Sequence, residues 1–194
     1  MKKILTILLL AIPLLALAQS EMKLEAVQKK KLNTFFSNFS EADLKSFKQN
    51  SLSDAALLEF GLSHNLINRE KSLKKSKDGS SVIITSEQVD TATIKYFGKT
   101  VAQHPNKTYT RPMASGEAYT FSQISSLAEL GGNAFLAKGM IFTTGSGGTP
   151  NPHGTPQEWK KKGEEVEQTG SFTAKIKAEG ERYILIEYAV VAVK

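Results

Sequence analysis

No cysteine occurs in the 194 residues. That absence excludes a disulfide framework, a thiolate nucleophile, a paired-cysteine zinc site and a lipidated cysteine at an export cleavage point. Histidine is nearly as scarce, limited to His64, His104 and His153. No H-E-x-x-H helix pairs two of them, so zinc chemistry has no motif to stand on, and neither a metal nor a cofactor is expected. Tryptophan occurs once, as Trp159. With no cross-links available, stability has to come from a hydrophobic core, which a chain of this length can bury.

What is present begins with "MKKILTILLLAIPLLALAQS", where Lys2 and Lys3 precede a short apolar run ending in Ala16, Leu17 and Ala18. The run is shorter than the roughly 20 residues a spanning helix needs. It therefore reads as a bacterial secretory signal peptide over residues 1–18, with an uncleaved anchor as the competing reading. The mature chain is expected to be one α+β domain over residues 19–194, exported to the periplasm or secreted. Removing Lys2 and Lys3 takes the formal charge from +6 to +4. Lysines cluster at 29–31, 71–77 and 160–162, each able to meet an anionic surface or simply to face solvent. No aromatic-rich pattern accompanies them, so nucleic acid is not an expected partner.

The first half reads as helical. Leu24, Val27, Leu32, Phe35, Phe36 and Phe39 approximate one helix face, and Ser40 with Asp43 resembles a capping box for a short second helix. Ser53 is a suitable N-cap for a third, on which Ala55, Leu58, Leu62 and Leu66 form a stripe. "KSKDGSS" is a turn, and Val82, Ile83 and Ile84 form a short strand. Thr85 and Gln88 then open a helix presenting Val89, Thr93, Tyr96 and Phe97, which Gly98 closes in a left-handed cap.

From Ala118 the period becomes two. "AYTFSQISSLAEL" and "AFLAKGMIFTT" pair across Gly131, Gly132 and Asn133, with Gly139 marking a bulge or bend. "SFTAKIKA" alternates, and "RYILIEYAVVAVK" is apolar on both faces, the pattern of a central or doubly covered strand. Helices followed by a run of antiparallel strands define an α+β class. The order resembles the NTF2-like or cystatin-like families, in which a curved antiparallel sheet wraps helices and leaves a conical pocket. "VDTATIKYFGKTV", "GEAYTF" and "ERYILIEY" are similar to stretches of small exported bacterial proteins. The resemblance implies a fold and assigns no chemistry.

The stretch "FTTGSGGTPNPHGTPQEW", residues 142–159, is the most irregular. It lacks the lysine of a P-loop, and Pro150 and Pro152 remove backbone donors that a dinucleotide fingerprint would use. Ser146 sits between glycines without forming G-x-S-x-G. A loop this long is often functional, which makes Asn151, His153 and Trp159 candidate ligand contacts, Trp159 by stacking on a sugar or lipid headgroup. The competing reading has Trp159 pinning the loop to the core.

Glu187 interrupts an apolar strand face, as Lys138 does on its own strand. In an apolar pocket a carboxylate is pushed up in pKa, so Glu187 with Tyr183 or Lys138 is a candidate for proton transfer. An exposed edge or a structural ion pair is the alternative. Two functions follow: a non-catalytic binding or interaction module for a small ligand, glycan or protein partner, or a small hydrolase or isomerase with Glu187 as general acid or base. The first is the expectation, because no catalytic constellation assembles, and an exposed sheet face leaves a homodimer open.

Overall fold

The computed structural model describes residues 21–113, 119–145 and 148–193; the expected signal peptide, Ala118 and Ser146 lie outside the described residues. Helix α1 (Ala26–Glu41) forms because Leu32, Phe35, Phe36 and Phe39 recur at three- and four-residue spacing, and all four are buried. Val27, counted in the expected stripe, stays exposed. Phe39 is the hub of the core, with ring centroids of Phe60, Tyr96, Phe97 and Tyr188 at 5.6, 5.7, 5.7 and 5.9 Å. Such edge and tilted aromatic contacts add specific geometry to the area they bury.

Ser40 and Asp43 do not open a second helix. Ser40 belongs to the last turn of α1, its carbonyl accepts from the Asp43 amide at 3.1 Å, and Asp43 takes a left-handed φ of 50°. The sequence signal was a helix stop, not a start. Helix α2 (Asp54–Arg69) begins at Ser53, whose Oγ accepts from the Ala56 amide at 3.2 Å. Its buried face holds Leu57, Phe60, Gly61, His64 and, as expected, Leu62, whereas Ala55 is exposed and Leu58 and Leu66 are only half-buried. Gly61 explains the rotation, since a Cβ there would stand 2.6 Å from Val89 Cγ1 and the following helix packs onto that gap.

Strands β1 (Lys74–Lys75), β2 (Ser81–Thr85) and β3 (Thr108–Pro112) make a three-stranded antiparallel sheet in that order, of which only β2 is legible in the sequence. Helix α3 (Ser86–Phe97) has both predicted ends: the Thr85–Gln88 capping box and Gly98 at φ 65°. Val89, Thr93, Tyr96 and Phe97 are buried as expected.

The second sheet is an antiparallel meander, β4 (Thr120–Gly131), β5 (Ala134–Thr144), β6 (Val166–Glu179) and β7 (Arg182–Ala192), paired in sequence order. Gly131, Gly132 and Asn133 all have positive φ at the β4–β5 turn. The bulge near Gly139 lies across from it, at Ser125 of β4. Helix α4 (Pro156–Lys161) interrupts the loop before β6. Strand β7 is an edge strand, not a central one. It is apolar on both sides because Ile186 is left unpaired, a bulge that resets the alternation so that Leu185 and Tyr188 share the core face.

Both open edges of this sheet are covered. On β4, Ser37 Oγ accepts from the Ser122 amide at 3.0 Å and Asn33 Oδ1 from the Ile124 amide at 2.8 Å, so one face of α1 stands in for a missing strand. On β7, Phe47 and Tyr188 exchange two backbone hydrogen bonds, and Ser46 Oγ accepts from the Val190 amide. The class is α+β, with helices packed on antiparallel sheets, consistent with an NTF2-like or cystatin-like layout. No helix among the described residues is long and apolar enough to cross a membrane.

Candidate functional site

The loop after β5 is tied down by its own polar groups. Thr155 and Glu158 form a reciprocal capping box with Pro156 at the first helical turn, so α4 was written in the sequence despite its brevity. Trp159 is buried against Phe121 and Phe142 at 5.4 and 5.2 Å, and its Nε1 donates to Asn151 O at 2.8 Å. Gln123 Nε2 donates to Pro152 O and Gly154 O, both at 2.8 Å, which holds the 151–154 turn against the edge of β4. Asn151 Oδ1 accepts from the His153 amide and shapes that turn. Trp159 also floors a hollow of about 630 Å³ rimmed by Lys160, Glu164 and Glu165.

The turn presents His153 to a different place, a cleft of about 480 Å³ where α1, α2 and α3 meet. Helical spacing builds its walls. Thr34, Asn38 and Glu41 stand at i, i+4 and i+7 on α1, His64 and Asn68 at i and i+4 on α2, and Lys95 and Tyr96 close it from α3. Burial pushes the Glu41 carboxyl up to about 7, against the lowering effect of the Asn68 amide beside it. Burial also pushes His64 down to about 4, with Lys95 and Arg69 repelling its charged form. The Asn68 amide nitrogen lies 3.2 Å from His64 Nδ1. An amide nitrogen only donates, so Nδ1 accepts and the neutral ring carries its proton on Nε2.

The phenols are held neutral. Tyr96 is pushed up to about 12 by burial and then by the Glu41 charge, and the same two causes raise Tyr119. Burial and Lys30 lower His153. Near pH 7 the cleft therefore offers a carboxyl that either gives or takes a hydrogen bond, two neutral imidazoles, amides and phenols. Its cations are Lys95 and Arg69.

The residues singled out in the sequence are dispersed. Glu187 pairs across from Lys175 and Lys138 across from Thr173, on the sheet face turned away from α1, with β6 between them. Tyr183 is on the opposite face of β7, because the Ile186 bulge separates it in phase from Glu187. Its ring lies 5.9 Å from Phe35. His153 lines the cleft with His64, whereas His104 is apart, bonded to Asp90 and Tyr109 at 3.1 and 2.9 Å. No group of three His, Asp or Glu side chains among the described residues is arranged to hold a metal ion. The sequence reading missed Glu41, Asn38, Asn68 and Lys95. Their signal was a polar stripe at helical spacing on otherwise apolar, aromatic helices.

Comparison with protein-family models, with curated proteins and with solved structures finds no match to this chain.

Proposed function

We propose that the chain is an exported, non-catalytic binding module that receives a small polar ligand in the Glu41–His64 cleft. Export rests on the Lys2, Lys3 and apolar leader pattern in a cysteine-free chain. One observation carries the binding role: a carboxyl pushed to about 7 and a neutral imidazole converge on an open, amide- and phenol-lined cleft. Concave sites with a few convergent polar groups of perturbed pKa are where ligands bind.

The test is native mass spectrometry of protein recovered from its own host without denaturation, beside Glu41→Gln recovered in the same way. A discrete added mass that is lost on unfolding and reduced in the variant supports the reading. A bare mass in both, with no ligand-dependent change in the His64 and His153 ring signals by NMR, overturns it. A hydrolase or isomerase is the second reading, favoured by Glu41 alone, since a general acid or base works best with a pKa near the working pH. Glu187 would serve that role only from the other side of the sheet. Turnover of a substrate with a pH profile that Glu41→Gln flattens distinguishes this reading from simple binding.

A further inference from the structure

Beside the polar cleft lies a second hollow of about 230 Å³, and the linings of the two share Thr34, Asn38, Lys95 and Tyr96. The second is apolar where the first is polar. Phe35, Tyr96 and Tyr183 form its floor, with ring centroids 6.0 Å apart for Phe35–Tyr96 and 5.9 Å for Phe35–Tyr183. A cavity of about 150 Å³ already admits a benzene ring, so one flat ring fits. We propose that the ligand is a small amphipathic oxyanion, a flat apolar body resting on Phe35, Tyr96 and Tyr183 with its anionic group beside Lys95. This rests on the binding reading above and specifies the ligand class.

Charge selects the sign. Lys31, Lys95, Arg182 and Arg69 line the two adjacent hollows against two carboxyls, Glu41 and Glu181. A cationic aromatic ligand would meet like charge at these rings, because Lys95 stands 4.9 Å from the Tyr96 centroid and Lys31 stands 5.6 Å from that of Tyr183, whereas an anionic group is drawn to them. Arg182 is bound to Glu179 and to Ile94 O, and Lys31 to Glu181 O, so these two hold their places at the rim. Lys95 lies on the wall common to both hollows and is the cation an anionic group reaches from either.

Glu41 makes the affinity depend on pH. The titratable or charged groups that share its cleft are His64, Arg69, Lys95, Tyr96, Tyr119 and His153. On its other side a separate hollow holds Asp43, Lys45 and Glu59, of which Asp43 pairs with Lys45 and Glu59 with Arg111. Ionisation of Glu41 places a like charge near the bound oxyanion, so binding weakens as pH rises through 7.

Benzoate, acetate and benzylammonium are titrated into the mature protein by NMR at pH 6 and pH 8. Saturable benzoate binding with shifts at Tyr96 and Tyr183, weaker acetate binding and no benzylammonium binding are expected. Lys95→Met, at an exposed helix position, weakens benzoate at least about tenfold, the effect of losing one charge-assisted hydrogen bond. Tyr183→Leu removes the preference for benzoate over acetate. Glu41→Gln abolishes the difference between pH 6 and pH 8. Benzylammonium binding in preference to benzoate, or benzoate binding indifferent to Lys95→Met, overturns this inference and leaves the cleft reading standing. No binding of any of the three probes counts against both.

Discussion

At Gly139 a single hydrogen decides how the sheet meets the first helix. A Cβ there would lie 2.4 Å from Gln123 O and 2.4 Å from Cε1 and Cζ of Phe172, distances no side chain tolerates. The Phe172 ring lies over the bare backbone of its cross-strand partner and packs against Phe36 at 4.4 Å. The gap in β5 is thus filled by an aromatic from β6. Gly139→Ala is expected to destabilise by on the order of 2 kcal/mol or more in urea unfolding, through overpacking. Phe172→Leu combined with it relieves the ring clash but not the one with Gln123 O, so a double-mutant cycle shows partial recovery. Because Gln123 also anchors the 151–154 turn, the His153 ring signals shift in Gly139→Ala as well.

Helix α1 is an edge cap as much as a core helix. Its buried Asn33 and Ser37 satisfy two β4 amides that face no strand, and a buried amide without a partner costs about 1–3 kcal/mol. Asn33→Ala is expected to lose that much in chemical denaturation. It also speeds hydrogen exchange at the Ile124 amide selectively, while amides in the β5–β6 ladder keep their protection. Uniform loss across the sheet would mean a packing effect only.

This capping was hidden in the sequence for a physical reason: an asparagine and a serine four apart on a helix look solvent-facing until a strand is laid beside them. Helix α3 was fully legible because both of its caps are local signals. Helix α4 carries a Thr-x-x-Glu box with proline, the counterpart of the Thr-x-x-Gln box of α3, but its six residues inside a glycine-rich stretch read as connection. Strands β1 and β3 were illegible, since Lys74 and Lys75 are exposed and "TYTRP" contains one half-buried tyrosine; pairing with β2 makes them strands. Strict alternation along β7 would put Tyr183 and Glu187 on one face, but the unpaired Ile186 between them inverts every side chain beyond it. The cleft itself is a product of three helices converging, which no local pattern encodes.

For the molecule as a whole, two opposed titrations act on stability between about pH 4 and 7. His64 falls from its ordinary 6.5 to about 4 in the folded chain, so between those values only the unfolded chain holds the proton, and stability is lost as pH falls. Glu41 rises from 4.5 to about 7, so between those values only the folded chain holds the proton, and stability is lost as pH rises. Across about pH 4.5 to 6.5 the two slopes oppose, and the contribution of the pair is nearly flat. Urea unfolding of Glu41→Gln over this window is expected to show stability climbing with pH by up to about 1.4 kcal/mol per unit, and His64→Gln to show it falling at a similar rate. Equal slopes in the two variants would contradict the assignment.

The edge caps also set the order in which the chain becomes a protein. Ser37 and Ser122 are 85 positions apart, Asn33 and Ile124 are 91, and Ser46 and Val190 are 144. During synthesis the helix emerges long before the strand it will seal, and the seal on β7 waits until Val190 has been made. Contacts of such separation are made late and at an entropic cost that slows folding. The nascent sheet therefore stays unsealed until β7 has been made. Any folding intermediate in which the meander has formed ahead of α1 presents a bare strand edge to its neighbours.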